Sequence, residues 1–423
     1  MDIPTRSTTG STVLCRGDFQ ALDASDPLSR YRDQFDLPTG VIYLDGNSLG
    51  PLPHCARERV EDVLSRQWGK GLIRSWNDEQ WIHLPLSTGG KIAGLIGAKP
   101  AEVVVADSTS VNLFKLLSVA LRLNPDRRVI VTESGNFPSD LYIIDGLTGL
   151  LEHDYEVRRA APGRVEDAID ESVAVVSVTH VNYRNGWMHD MQALTAKAHE
   201  AGAIMLWDLA HSAGSMPLAL NEFGVDLAVG CGYKFLNGGP GAPSFLFIAE
   251  HWHDRARQPL TGWLGHANPF QFDEQYVPAN GIARNLCGTP PVLSMASLDA
   301  ALDVFETVDM HQVRSKSVAL GQLFLQLIEQ ELAGFGFEIA CPRDPERRGS
   351  QVCIAHEQGH AIMQALIDQG FIGDFREPNI LRFGLTPLYQ RYEDIWDTAA
   401  ALGEIMRTAQ WRERRFQTRE YVT

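Results

Sequence analysis

From about residue 100 the chain alternates short apolar runs with helix-like stretches, and nothing else in it constrains the fold as much. Val103-Val-Val-Ala106 leads into Ser108-Thr-Ser110 and a helical pattern from Val111 to Leu123. Arg128-Val-Ile-Val-Thr132, Val173-Ala-Val-Val-Ser-Val178 and Ala203-Ile-Met-Leu-Trp207 are further runs, each followed by a polar or glycine-containing turn and another helical stretch. Runs that are apolar at consecutive positions are buried on both faces. The pattern therefore predicts an α/β architecture with a large, mostly parallel sheet covered by helices on both sides. In such sheets the crossovers are right-handed and ligands collect at the carboxyl ends of the strands.

Residues 54–70 read as an amphipathic helix, because Cys55, Val60, Val63, Leu64 and Trp68 recur at helical spacing. A helix starting at Pro290-Pro291 and running towards Val308 introduces a smaller α+β region. There the pattern predicts helices over 315–332 and 359–369, strands at Phe337–Cys341, Gln351–Ala355 and Leu381–Gly384, and a last helix from Tyr392 to Trp411. The expected organisation is an N-terminal arm (1–50) belonging with the small domain, a large domain (51–290) and a small C-terminal domain (291–423). A chain of 423 residues suits more than one core.

The formal net charge of -16 argues against nucleic acid and anionic membrane surfaces, both of which select clustered Lys and Arg. No apolar run reaches the length of a membrane span, and Met1 to Asp18 carries no apolar signal core. The six cysteines are scattered without a CxxC pair, as expected for reduced thiols in a cytoplasmic protein. No HExxH or Cys/His cluster points to a metal.

Against this background three residues carry the chemistry. Asp208 and His211 end one apolar run, and Lys234 ends the next, Asp226-Leu-Ala-Val-Gly-Cys-Gly-Tyr-Lys-Phe-Leu236. This arrangement fits a pyridoxal phosphate (PLP) site. Lys234 would hold the aldehyde as an imine, Asp208 would keep the pyridine nitrogen protonated and His211 would lie against the ring. Gly238, Gly239 and Gly241 would let the backbone pass close to a bulky cofactor. Ordinary readings compete: a surface lysine in a turn, a helix N-cap at Asp208, a satisfied core histidine at His211. Ser108-Thr109-Ser110 fits either a phosphate cradle or a plain helix cap. Phe137-Pro138-Ser139-Asp140 puts an aromatic ring and a carboxylate near the same sheet edge. Arg382, between apolar residues, needs an anion, which is either a substrate carboxylate or an internal partner.

At this point the residues match a family. The order Asp-x-Ala-His followed by Lys resembles fold-type I PLP enzymes of the class V aminotransferase group, whose large domain is built on a seven-stranded sheet. Within that group the chain resembles the kynureninase family. The resemblance rests on Tyr43-Leu-Asp-Gly-Asn-Ser-Leu-Gly-Pro51, Phe137–Asp140, Gly232-Tyr-Lys-Phe-Leu-Asn-Gly-Gly-Pro-Gly-Ala-Pro243, Gly262-Trp-Leu-Gly-His266, Cys287-Gly-Thr-Pro-Pro291 and Leu381-Arg-Phe-Gly384. It implies hydrolysis of the Cβ–Cγ bond of kynurenine, and of its 3-hydroxy form, to anthranilate (3-hydroxyanthranilate) and alanine, in tryptophan catabolism or NAD biosynthesis. It also implies a homodimer with shared active sites. Lys234, Tyr233 and Asp208 would be catalytic, with Tyr233 and Lys234 as general acid and base. Thr109, Ser110, Tyr233, Trp263 and Thr289 would bind the phosphate, the last two from the other subunit. Phe137 would stack on the ring, with Asp140 and Thr179 near its hydroxyl edge, and Ser48 and Arg382 would hold the amino-acid part of the substrate. Trp76, His83, His266 and Phe270 stand open as neighbours of the aryl ring. The nearest alternative on the same fold is a cysteine desulfurase, which would need Cys341 or Cys353 as a mobile thiol.

Overall fold

The computed structural model describes residues 14–151 and 154–418; of the polar segment Met1–Asp18, the part before Leu14 lies outside the described residues. In chain order the elements that position the site begin with helix α1 (Arg16–Ala24), strand β1 (Ile42–Tyr43), α2 (His54–Asp62) and α3 (Leu84–Ile96). Next come β2 (Val103–Val105), α4 (Thr109–Leu123), β3 (Val129–Glu133), α5 (Pro138–Leu150) and β4 (Glu156–Ala160). They continue through β5 (Val173–Thr179), α6 (Met191–Glu200), β6 (Ile204–Asp208), β7 (Leu227–Cys231) and β8 (Ser244–Ile248). The remainder comprises α7 (Val292–Ala301), α8 (Met310–Glu331), β9 (Glu338–Ile339), β10 (Gln351–Ala355), α9 (Gly359–Asp368), β11 (Phe371–Ile372), β12 (Asp374–Arg376), β13 (Ile380–Gly384) and α10 (Tyr392–Thr408).

Seven strands form one sheet in the order β2-β8-β7-β6-β5-β3-β4. Only β8 runs against its neighbours β2 and β7, and the remaining pairs are parallel. This is the α/β fold, with a mostly parallel sheet, that the apolar runs predict. Consecutive side chains point to opposite faces, so each run feeds two cores. Val103, Val105, Val131 and Met205 pack with α3 and α6 on one side. Val104, Ile130, Leu206 and Val229 pack with α4 and α5 on the other. Each fully buried Val, Leu or Ile contributes about 1.5–3 kcal/mol relative to exposure, which is why the central strands tolerate no polar alternation.

The second sheet, β9-β10-β13-β12, is antiparallel throughout. The N-terminal segment joins this half of the molecule: β1 pairs in parallel with β11, and Phe19 of α1 is buried in the core that α8, α9 and α10 build. Met295, Leu298 and Phe305 still belong to the large-sheet core, and in α8 the side chains change from that core (Val313) to the second one (Leu320).

The segment expected as one amphipathic helix over 54–70 winds wider from Val63 to Gly71, with π-type turns. Its stripe is only partly buried. Val63 is covered, whereas Leu64 and Trp68 are 45% and 54% exposed. Among the described residues no helix is long and apolar enough to cross a membrane.

Candidate active site

Because β2, β3, β5, β6 and β7 share one direction, their carboxyl ends lie along one edge of the sheet. There they border a cavity of about 390 Å³. Asp208 closes β6 directly opposite Thr179 at the end of β5. Lys234 follows β7 by three residues, and its Nζ lies 3.0 Å from His211 Nε2. Asp107 and the first turn of α4 enter after β2, and Phe137, Ser139 and Asp140 enter after β3. The cavity thus brings together Thr109, Ser110, Phe137, Ser139, Asp140, Thr179, Asp208, His211, Tyr233 and Lys234 from the sequence-predicted set. Pro138 is the first residue of α5 and fixes the turn that aims Phe137 and Asp140 inward.

Burial is the dominant electrostatic fact. It lowers the His211 pKa well below the ordinary value, with help from the charges of Lys234, Arg382 and Arg376. The imidazole is therefore neutral and accepts the lysine's N–H through Nε2. Its Nδ1 is buried without a hydrogen-bond partner among the described residues. Burial also raises the Asp208 pKa, against the Ala210 amide, which donates to Asp208 Oδ1 at 2.8 Å, and against the charge of Lys234. Asp140 is pushed well above the usual carboxylate range by burial and by Asp208, with Lys234 and Asn136 pulling the other way. Burial raises the Tyr233 hydroxyl too, followed by the charges of Cys231 and Asp208. Two buried carboxyls face one lysine and one orphaned imidazole nitrogen, so this chain alone leaves the polar set incomplete. A cationic heterocycle bearing an oxygen acceptor supplies what is missing. The site fits PLP on that ground.

A helix N-terminus borders the same cavity. Ser108 caps α4, its Oγ accepting the Val111 amide at 3.4 Å. That leaves Thr109 and Ser110, whose hydroxyls make no side-chain hydrogen bond among the described residues, to meet an anion with the free backbone N–H groups of the first turn. The glycines after Lys234 divide in their roles. Gly241, at φ +76°, borders the cavity. At Gly238 a Cβ would come within 2.8 Å of Leu298 and of the Gly232 carbonyl, so its constraint is internal packing rather than closeness to a cofactor. Gly50 is equally constrained, since a Cβ there would lie 2.4 Å from the Lys234 carbonyl.

Ser48 and Arg382 lie one layer behind the cavity wall. Arg382, 1% exposed, pairs with Asp374 through Nε at 2.9 Å and through Nη2, so its guanidinium has an internal anion as a partner. Its Nη1 donates to the Tyr183 carbonyl at 2.6 Å and Nη2 to Ser48 Oγ at 2.6 Å. Tyr183 itself lines the cavity and meets Phe137 edge-on at 5.1 Å. Sequence reasoning missed Tyr183, Asp374 and Arg376. The nearest signal was Asn182-Tyr183 just beyond the β5 run.

Trp263 and Thr289 do not line the cavity of their own chain. Trp263 packs on Phe270 at 5.7 Å, and Thr289 is exposed. Of the aryl-ring candidates, Trp76 packs on Trp81, and none of Trp76, His83, His266 and Phe270 borders the cavity. Cys341 and Cys353 are 7% and 0% exposed, and burial raises both thiols. Neither is the mobile thiolate that desulfuration requires.

Comparison with known proteins agrees with the motifs. Residues 313–402 match the family model described as the kynureninase C-terminal domain. The chain is 51% identical over 416 residues to a kynureninase of Pseudomonas fluorescens, covering 97% of this chain and 100% of that one. It is 51% identical over 409 residues to a kynureninase of Burkholderia pseudomallei, covering 95% and 98%. Among solved structures, an apo cysteine desulfurase from Thermococcus onnurineus superposes with a TM-score of 0.76 at 21% identity, covering 90% of this chain and 98% of that one. A C-DES variant with glycine covalently linked to the PLP cofactor superposes at 0.74 and 16% identity, covering 93% and 100%. At such identities the structural likeness speaks for the fold alone.

Proposed function

This chain belongs to the kynureninase family, and from that premise we propose that it is a PLP-dependent hydrolase cleaving the Cβ–Cγ bond of L-kynurenine. Anthranilate and L-alanine are the products, and the 3-hydroxy substrate is accepted as well. The observation that carries the reading is the convergence of Lys234, His211, Asp208 and Asp140 in one cavity at the sheet's carboxyl edge. Lys234 would be the attachment point of PLP, and Asp208 the counter-charge of its ring nitrogen. Thr109, Ser110 and the α4 N-terminus would hold its phosphate, with Tyr233. Phe137 would stack on the ring, with Asp140 and Thr179 near its hydroxyl edge. Bound there, PLP supplies an electron sink that stabilises negative charge on the carbons beside the substrate amine.

The chain's own groups then move protons. Lys234 is the base that takes the proton from the substrate α-carbon, its Nζ held 3.0 Å from Nε2 of the neutral His211 imidazole. Water adds to the substrate γ-carbonyl, and the Cβ–Cγ bond breaks with Cγ leaving as the anthranilate carboxyl. Tyr233, which burial keeps protonated and whose ring centroid lies 5.9 Å from Lys234 Nζ, delivers a proton to Cβ, the proton released by the water restoring the phenol. Ser48 and Arg382 hold the α-carboxylate. The reaction belongs to tryptophan catabolism or NAD biosynthesis in the cytoplasm, consistent with six free cysteines.

The active form is a homodimer. Trp68, Leu293, Pro291 and Trp81 line an apolar groove, and Leu64, Leu72 and Ile73 on the adjoining helical segments are 45%, 60% and 77% exposed. A second copy covers this face and brings Trp263 and Thr289 to the phosphate. Sedimentation velocity checks it: a dimer is expected, and a monomer at micromolar concentration overturns it. For the reaction, the PLP-loaded chain is mixed with L-kynurenine while anthranilate fluorescence and alanine are followed, with L-cysteine in a parallel arm. Anthranilate with equimolar alanine is expected, and sulfide release without anthranilate would replace the reading by desulfuration.

A further inference from the structure

The second sheet places three charged residues on one face by register alone. Asp374 on β12 pairs opposite Arg382 on β13, and Arg376 is two residues farther along β12, so all three side chains share a side. Phe375 and Leu381, the alternate positions, pack into the second core. The charged face backs onto the cavity wall, since Arg382 donates to the backbone carbonyl of cavity-lining Tyr183 and Ser48 sits among all three charges.

Within this group Arg382 directs four of its five N–H donors to partners and keeps one Nη1 hydrogen for a ligand, whereas Arg376 has a whole donor atom, Nε, without one. Arg376 Nη2 donates to Asp374 Oδ2 at 2.7 Å and to Ser48 Oγ at 3.2 Å. Its Nε is buried without a partner among the described residues, yet the side chain is 38% exposed, so a ligand entering from solvent can reach it. A buried, charged donor left unpaired is costly, and a carboxylate satisfies it.

The charge count agrees. Burial opposes ionisation of Asp374, but the charge and hydrogen bonds of Arg382, the charge of Arg376 and the Ser48 hydroxyl outweigh it and hold its pKa below the ordinary value. Burial and the Asp374 charge push Asp45 up to about 8, so near neutrality it adds no charge. Two guanidiniums and one carboxylate leave one uncompensated positive charge, the complement of a single α-carboxylate.

We propose that Arg376 is a second carboxylate-recognising residue acting beside Arg382, and that Asp374 is the positioning residue that holds the two guanidiniums side by side. The inference rests on the amino-acid substrate assigned above. Its test compares ligands that have and lack the carboxylate. In Arg376→Gln the KM for L-kynurenine rises roughly 10- to 100-fold while kcat falls less than about threefold. Inhibition by the product L-alanine weakens by the same factor. Inhibition by kynurenamine, the decarboxylated substrate, shifts less than about twofold, and Arg376→Lys restores part of the loss. For Asp374, the Asn variant weakens kynurenine and alanine together and Glu restores part of the binding. A KM within about twofold of wild type in Arg376→Gln, or equal weakening of kynurenamine, overturns the proposal. Should the wild-type chain bind L-alanine without cleaving kynurenine, the reaction assignment fails, and the alanine comparison still judges Arg376.

Discussion

Lys115→Met probes the coupling between the proposed phosphate cradle and its support. Lys115 is fully buried; its Nζ ion-pairs with Asp107 and donates to the Asn285 carbonyl at 2.6 Å. Asp107 sits at φ +49° in the turn between β2 and α4 and borders the cavity beside Thr109 and Ser110. Methionine keeps the length of the side chain but strands a carboxylate at the rim of the proposed phosphate site. Breaking a buried ion pair costs about 3–5 kcal/mol, and the 30% exposure of Asp107 places this one near the lower end. At about 2.1 cal/mol/K per residue over 423 residues, ~3 kcal/mol lowers Tm by about 3 °C if the chain unfolds as a unit. The uncompensated carboxylate also repels the phosphate, so PLP affinity falls roughly tenfold, or ~1.4 kcal/mol. Adding Asp107→Asn removes the stranded charge and recovers most of both losses, which is the coupling a double-mutant cycle reads. Thermal denaturation of the apo form and PLP titration by absorbance measure the two effects. Unchanged Tm and PLP affinity in Lys115→Met, or additive losses in the double variant, would refute the reasoning.

Other outcomes follow from the same contacts. Lys234→Ala keeps its circular dichroism spectrum but loses at least about 10³-fold in turnover; residual activity within tenfold of wild type contradicts the assigned base. Asp45 faces Asp374, Arg382 and Tyr43, and ionises only as pH passes about 8. Ionisation cancels the net positive charge of the arginine pair, so KM for kynurenine is flat below pH 8 and climbs above it, and Asp45→Asn abolishes the climb. The same raised pKa gives stability that is complete below the ordinary value of 3.8 and gone above about 8, so wild type and the Asn variant diverge across that window in urea denaturation. Trp207→Ala empties a fully buried site whose Nε1 donates to Thr195 Oγ1 at 3.1 Å; unfolding free energy falls by about 3–5 kcal/mol, and a loss below about 1 kcal/mol counts against the packing described.

What the sequence disclosed follows the physics of burial. Central strands such as Val173–Thr179 are dry on both faces and stand out as apolar runs. Edge strand Glu156–Ala160 is wet, carries Arg158 and Arg159, and gave no signal. Ser244–Ile248 was missed because it follows the lysine loop directly and runs antiparallel, without the helical crossover that flagged its neighbours. The helical stripe that includes Leu64 and Trp68 was real, yet these two face outward, since helical spacing reveals an apolar face but not what covers it. Asp208, His211 and Lys234 were legible because polar groups ending apolar runs must be satisfied at the sheet edge. Asp374 and Arg376 were not, because a three-residue strand shows no alternation, and only pairing with Ile380–Gly384 puts them beside Arg382.

Covalent attachment of PLP to one particular amine is the central claim, and borohydride reduction of the PLP-loaded chain followed by peptide mass spectrometry tests it most directly. The account predicts a single pyridoxyl adduct on the peptide containing Lys234, with loss of the visible absorbance band. Reduction that leaves that peptide unmodified, or modifies another lysine instead, would contradict it.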